Sequence, residues 1–141
     1  MLVNIPVTNK ITILIVDDHK LIRDTWSFIL NSDPRFQVIA ETDSGKSAIE
    51  LAESNQPNII LMDINMPGKN GIECIAEAKP KKPEVQFLIS TVFENPQYIF
   101  NALCSGATGY LIKNTTGDHL VAAIREVMHG GSPMSTQIAR L

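Results

Sequence analysis

Residues 11–18 read Ile-Thr-Ile-Leu-Ile-Val-Asp-Asp. From Ile11 to Val16 the run is β-branched and almost continuously apolar, as a strand buried on both faces should be. Such strands belong to parallel sheets with helices packed on each side. The run then stops at two adjacent carboxylates, Asp17 and Asp18. In an open sheet of this kind, ligands sit beyond the C-terminal strand ends, where the strand order reverses. One stretch therefore indicates both a fold class and a place for chemistry.

The rest of the chain repeats the theme. Asn58 to Met62 (NIILM) and Val85 to Thr91 (VQFLIST) read as further buried strands, and Val38 to Ala40 and Gly109 to Ile112 as shorter ones. Helical periodicity fills the intervals. Ile22, Trp26 and Ile29 share one face of a helix over about residues 20–31, which Asp33-Pro34 ends. Ala48, Leu51 and Ala52 mark a second helix, stopped near Pro57, and Ile72, Ile75 and Ala76 a short third. Ile99, Ala102 and Leu103 mark a fourth, capped by Gly106. Leu120, Ile124 and Val127 mark a fifth, with Thr116 as N-cap and Gly130 just past its end. Alternating strands and helices with right-handed crossovers predict an α/β fold: a five-stranded parallel sheet, doubly wound, of the form (βα)5. Residues 1–10 read as an N-terminal extension, 11–129 as the domain, and 130–141 (GGSPMSTQIARL) as the start of a linker.

Composition narrows the function. At 141 residues with 44% hydrophobic and 19% charged side chains, one domain with a real core is expected. A net charge of −3 provides no field for nucleic acid or an anionic membrane. The one dense basic run, Lys79 to Lys82, is broken by Pro80 and reads as a solvated loop. No apolar stretch reaches the ~20 residues of a membrane span, and the N-terminus lacks a basic leader. Cys74 and Cys104 are distant and read as reduced, mostly buried thiols, so a cytoplasmic location is expected.

The chemistry lies at the strand ends. The first strand ends in Asp17-Asp18, the third in Asp63, the fourth in Thr91 and the fifth in Lys113. Gathered at one sheet edge, three carboxylates repel one another, and a hard divalent cation removes that repulsion. Mg2+ suits this set, because it takes one or two carboxylates, several waters and a phosphate oxygen. One carboxylate can then attack phosphorus. Asp63, alone at the end of a central strand, is the natural nucleophile, and Pro67 and Gly68 turn the chain away behind it. Lys113 and the metal would neutralise the transferred group, and Thr91 can hydrogen-bond its oxygen. Ser90 is a rival for that last role. His19 sits beside the acid pair, but Mg2+ prefers oxygen. His19 therefore reads as a surface residue at a helix start, and His119 and His129 as surface residues too. Gly45-Lys46-Ser47 is not a phosphate loop, since position 40 is Ala where that motif needs Gly.

ILIVDDH, IILMDINMPGKNG, the strand ending in Thr91, and ATGYLIK together resemble the receiver domains of two-component response regulators, over roughly residues 11–129. The resemblance implies a flavodoxin-like receiver fold that acts as a phosphoacceptor switch, not as a metabolic enzyme. It implies that Asp63 takes a phosphoryl group from the phosphohistidine of a sensor histidine kinase. Asp18, Asp63 and the backbone carbonyl of Asn65 would bind Mg2+ directly, with Asp17 mainly through water. Thr91 and Lys113 would hold phosphoryl oxygens, and Tyr110 would be the switch aromatic, turning inward as Thr91 moves to the phosphoryl group. The Asp-Asp-His start, DINMPGKNGIE and the GGSPMSTQIAR tail are similar to the LuxR-like (NarL/FixJ) subgroup. There, such a tail leads to a helix-turn-helix output domain that binds DNA; phosphorylation of this chain is expected to promote self-association, as a homodimer, or to release that domain. Val92 and Phe93 depart from the family, which has a smaller and a more polar residue at those places.

Two other classes compete. A stand-alone receiver relaying phosphate would not need the linker-like tail. A flavodoxin-like flavin or nucleotide binder would want a Ser/Thr/Gly-rich loop after the first strand, where this chain has Asp-Asp.

Overall fold

The structure is a computed structural model and describes residues 10–64, 66, 68, 70–92, 95–113, 115–134, 139 and 140. Five strands alternate with five helices: β1 (Ile11–Val16), α1 (Lys20–Asn31), β2 (Phe36–Thr42), α2 (Gly45–Asn55), β3 (Ile59–Asp63), α3 (Gly71–Ala78), β4 (Gln86–Thr91), α4 (Pro96–Cys104), β5 (Gly109–Ile112) and α5 (Gly117–Met128). All pairings are parallel, in the order β2-β1-β3-β4-β5. The (βα)5 expectation is borne out. The order reverses between β1 and β3, so the acid pair and Asp63 flank the switch point.

Alternation along the strands divides the core in two. Leu14, Val16, Ile60, Met62, Phe87, Ile89 and Tyr110 pack with α2, α3 and α4. Ile13, Ile15, Ile59, Leu61, Leu88 and Leu111 pack with Trp26 and Leu30 of α1 and with Leu120, Ile124 and Val127 of α5. Burying each such aliphatic side chain is worth roughly 1.5–3 kcal/mol. The central strands are therefore a firm base for what projects from their ends.

Most boundaries agree with the sequence reading, and the differences have physical causes. β2 runs well beyond residues 38–40 because it is an edge strand whose polar Gln37 and Glu41 interrupt the apolar signal while its backbone still pairs with β1. The buried face of α3 is Gly71, Cys74, Ile75 and Ala78, not the expected face with Ala76, which is exposed. That helix starts with a reciprocal capping box between Asn70 and Glu73. Cys104 is exposed at the end of α4, so only Cys74 is the buried thiol expected of both. Thr116 caps α5 through the His119 amide, and Gly106 follows α4 at φ 115°, a conformation that suits glycine.

The tail after α5 does not leave the domain at once. Ser132 Oγ donates to the Thr108 carbonyl, and the Tyr110 amide donates to the Pro133 carbonyl at 3.0 Å. Met134 forms a parallel bridge to Tyr110. Residues 132–134 thus cover part of the free edge of β5. Gly109 permits the approach, because a Cβ there would stand 2.6 Å from the Pro133 oxygen and 2.8 Å from Leu88 Cδ1.

Candidate functional site

The C-terminal ends of β1, β3 and β5 bring Asp17, Asp63 and Lys113 together. Each is the next position outward on the sheet face that carries Ile15, Leu61 and Leu111, so all three point to the α1/α5 side. Lys113 Nζ lies 2.9 Å from Asp17 Oδ2 and 3.0 Å from Asp63 Oδ2. The lysine side chain is 5% exposed and each carboxylate 2%. Burial alone would lower the Lys113 pKa, but hydrogen bonds to Asp17 and Asp63 reverse this and hold it above the ordinary lysine value. One ammonium thus ties two carboxylates that would otherwise repel.

The local chain explains the placement. Asp17 Oδ1 accepts from the backbone amide of His19 at 2.8 Å, which fixes the turn into α1. Arg23 Nη1 reaches back from the first turn of α1 to the Asp17 carbonyl at 2.6 Å. Behind Asp63, Gly71 packs so closely that a Cβ would strike the Asp63 carbonyl, while its amide donates to the Ile64 carbonyl at 2.9 Å. Gly68, at φ 78°, provides the turn expected between them. Asp18 stands at the rim with its carboxylate 30% exposed.

One donor atom each from Asp17, Asp18, His19 and Asp63 can be chosen so that all lie within 4.8 Å of one another. Three of these residues offer carboxylate oxygens at a partly open edge, a donor set that fits a small hard cation completed by water. The expected carbonyl of Asn65 lies outside the described residues, as do Pro67 and Phe93. Val92 is exposed.

Thr91 and Tyr110 occupy the opposite sheet face. Thr91 follows Phe87 and Ile89 by alternation, and Tyr110 belongs to that same cluster. The Thr91 carbonyl accepts from the Lys113 amide at 2.8 Å, which joins β4 to the lysine. Ser90, the rival hydroxyl, is the registered partner of Asp63 on the neighbouring strand, and its buried Oγ has no hydrogen-bond partner among the described residues. Tyr110 differs from expectation in its state: it is already fully inside, at 0% exposure. Burial first, and the Asp63 charge second, push its phenol up to about 12. The hydroxyl has no hydrogen-bond partner among the described residues. Tyr110→Phe should therefore leave the fold intact and raise stability by up to about 1 kcal/mol, measurable by urea denaturation.

The sequence reading missed the ring of His19. It expected a surface residue, and the side chain is indeed 60% exposed. Yet Nδ1 lies 3.0 Å from an oxygen of both Asp17 and Asp18, and 3.1 Å from Lys113 Nζ. Its position at the start of α1 was visible, but the direction of its ring was not.

Comparison with known proteins agrees with this architecture. Residues 13–125 match the response regulator receiver domain family. The chain is 40% identical over 124 residues to the transcriptional regulatory protein DegU of Brevibacillus brevis, covering 88% of this chain and 52% of that one. It thus spans about half the length of that relative. Among solved structures it is similar to a LuxR-family two-component response regulator from Aurantimonas sp. SI85-9A1 (TM-score 0.88, 30% identity, 93% of this chain and 94% of that one). It is also similar to the signal receiver domain of the putative response regulator NarL from Mycobacterium tuberculosis (TM-score 0.83, 29% identity, 86% and 98%). With buried acids at the switch point, a lysine bridging them and these matches over most of its length, the chain belongs to the response regulator receiver domains, on their LuxR-family branch.

Proposed function

We propose that Asp63 is the phosphoacceptor of a Mg2+-dependent switch that governs transcription. The observation that carries this reading is the buried bridge from Lys113 Nζ to both Asp17 and Asp63 at the partly open sheet edge. A buried acid pair with one ammonium between its members suits an incoming phosphoryl group, whose charge the same lysine can neutralise.

In the proposed reaction an oxygen of Asp63 attacks phosphorus of a histidine kinase's phosphohistidine. The phosphorus–nitrogen bond breaks, its electron pair stays on the imidazole nitrogen, and that nitrogen takes a proton from solvent. Mg2+ would be held by Asp18 and Asp63, with Asp17 mainly through water, and would supply charge neutralisation for the phosphoryl oxygens. Lys113 keeps its hold on the Asp63 side of the pocket, and Thr91 donates its hydroxyl to a phosphoryl oxygen. Movement of Thr91 along the face that it shares with Tyr110 is the proposed route to the α4–β5–α5 surface. Because Tyr110 is inward already, the switch acts by holding that state rather than by creating it. The further expectations are a cytoplasmic protein, homodimers on phosphorylation, and DNA contact through an output domain following residue 141. No helix among the described residues is long and apolar enough to cross a membrane.

The test is uptake from a small phosphodonor such as acetyl phosphate. With Mg2+, intact-mass measurement should show one added phosphoryl group, labile in the manner of an acyl phosphate. With chelator, or in Asp18→Ala, uptake should fall by at least about tenfold. Equal uptake in chelator would exclude a metal-assisted switch.

A further inference from the structure

An oxygen-only cation site leaves His19 without a purpose, yet the structure aims its ring nitrogen into the cluster. His19 holds the N-cap position of α1, but its side chain makes no capping hydrogen bond. The backbone explains where the ring goes. Asp17 Oδ1 fixes the His19 amide at 2.8 Å, and that turn swings Nδ1 to 3.0 Å from Asp17 Oδ1 and 3.0 Å from Asp18 Oδ1. Adjacent ligands of a small octahedral cation with bonds of ~2.1 Å are themselves about 3.0 Å apart. The nitrogen also lies 3.1 Å from Lys113 Nζ. Nδ1 therefore meets two carboxylate oxygens, which only accept, and one ammonium, which only donates, so its role there is set by the tautomer while its position at the centre of the cluster is not. The Lys113 ammonium also contacts Asp17 and Asp63, so three of the four potential ligand residues already surround one positive charge.

We propose that His19 supplies a nitrogen ligand to the divalent cation of the acidic site, so that the site favours ions that accept nitrogen, such as Ni2+, over Mg2+. This rests on the acidic cluster being the cation site of the proposed function. Carboxylates alone suit Mg2+, whereas an added imidazole favours ions that accept nitrogen. The exposed ring can adjust to the ion without disturbing the core.

The test uses the whole chain with MnCl2, NiCl2 or MgCl2 and compares it with His19→Ala and His19→Gln. Bound Mn2+ should show the nitrogen modulation of a directly coordinated imidazole in pulsed electron paramagnetic resonance, and both variants should lose it while still binding Mn2+. By calorimetry, Ni2+ affinity should fall about tenfold or more in both variants, with Mg2+ affinity changed less than about twofold. Bound Mn2+ without nitrogen modulation, or modulation that persists in His19→Ala, overturns the His19 ligand while leaving the acidic site standing. Absence of Mn2+ and Mg2+ binding to the wild-type chain overturns the proposal together with the cation site beneath it. The site lies in an exposed turn that needs no His19 cap, so both variants should fold, and circular dichroism checks this.

Discussion

Asp63→Asn should take up no phosphoryl group from acetyl phosphate and Mg2+ on the timescale that saturates the wild-type chain. The expected loss in rate is at least about a hundredfold, since the substitution removes the attacking oxyanion itself. The amide is nearly the same size, so the effect should not come from misfolding. The side chain is buried at the end of a strand whose every residue is buried, and Asp17 remains to pair with Lys113. The rival acceptors are Asp17 and Asp18. Asp17 is held at both oxygens, by Lys113 and by the His19 amide, which reduces its reach as a nucleophile. Asp18 is at the rim, its side chain 30% exposed, whereas Lys113 is held on the buried Asp17 and Asp63. Mass measurement over a time course decides: uptake in Asp63→Asn at a rate comparable to wild type would move the acceptor to one of these two.

Lys113→Ala should have the largest effect on stability of any substitution in the site. It leaves Asp17 and Asp63 buried and facing each other without the cation that both contact. Breaking a buried ion pair by removing one partner usually costs about 3–5 kcal/mol. Here about 2–3 kcal/mol is expected, because the pocket opens to water past His19 and Asp18, which screens the repulsion. Urea denaturation at neutral pH without divalent ions should show the loss, and millimolar Mg2+ should restore part of it by binding the folded state. Restoration by Mg2+ identifies charge repulsion as the cause, because lost packing would not respond to the ion. The wild-type contribution has a defined pH window. The Lys113 pKa is raised by folding, so its stabilisation is complete below the ordinary lysine pKa near 10.5 and is lost as pH rises through the higher folded value. An unchanged denaturation midpoint in Lys113→Ala would mean that the two acids do not depend on the lysine.

The sequence alone determined the fold class, the order of the ten elements, and the convergence of Asp17, Asp18, Asp63 and Lys113 at one edge. The reason is that a parallel strand buried on both faces leaves an uninterrupted apolar run, and a charged residue at its end is therefore conspicuous. The period-2 and period-3.6 patterns are local, so they survive being read along the chain. Signals weakened where one face meets water, as at β2, or where a helix is too short to fix its phase, as at α3. Only the tertiary structure decided that Tyr110 lies inside, that residues 132–134 lie along the edge of β5, and that the His19 ring enters the acid cluster. Each depends on groups distant in sequence arriving at one place: Tyr110 meets Met134 beyond α5, and His19 meets Lys113 across the ends of β1 and β5. A side chain's rotamer and an edge strand's last partner are chosen by those neighbours, and no local pattern of residues encodes them.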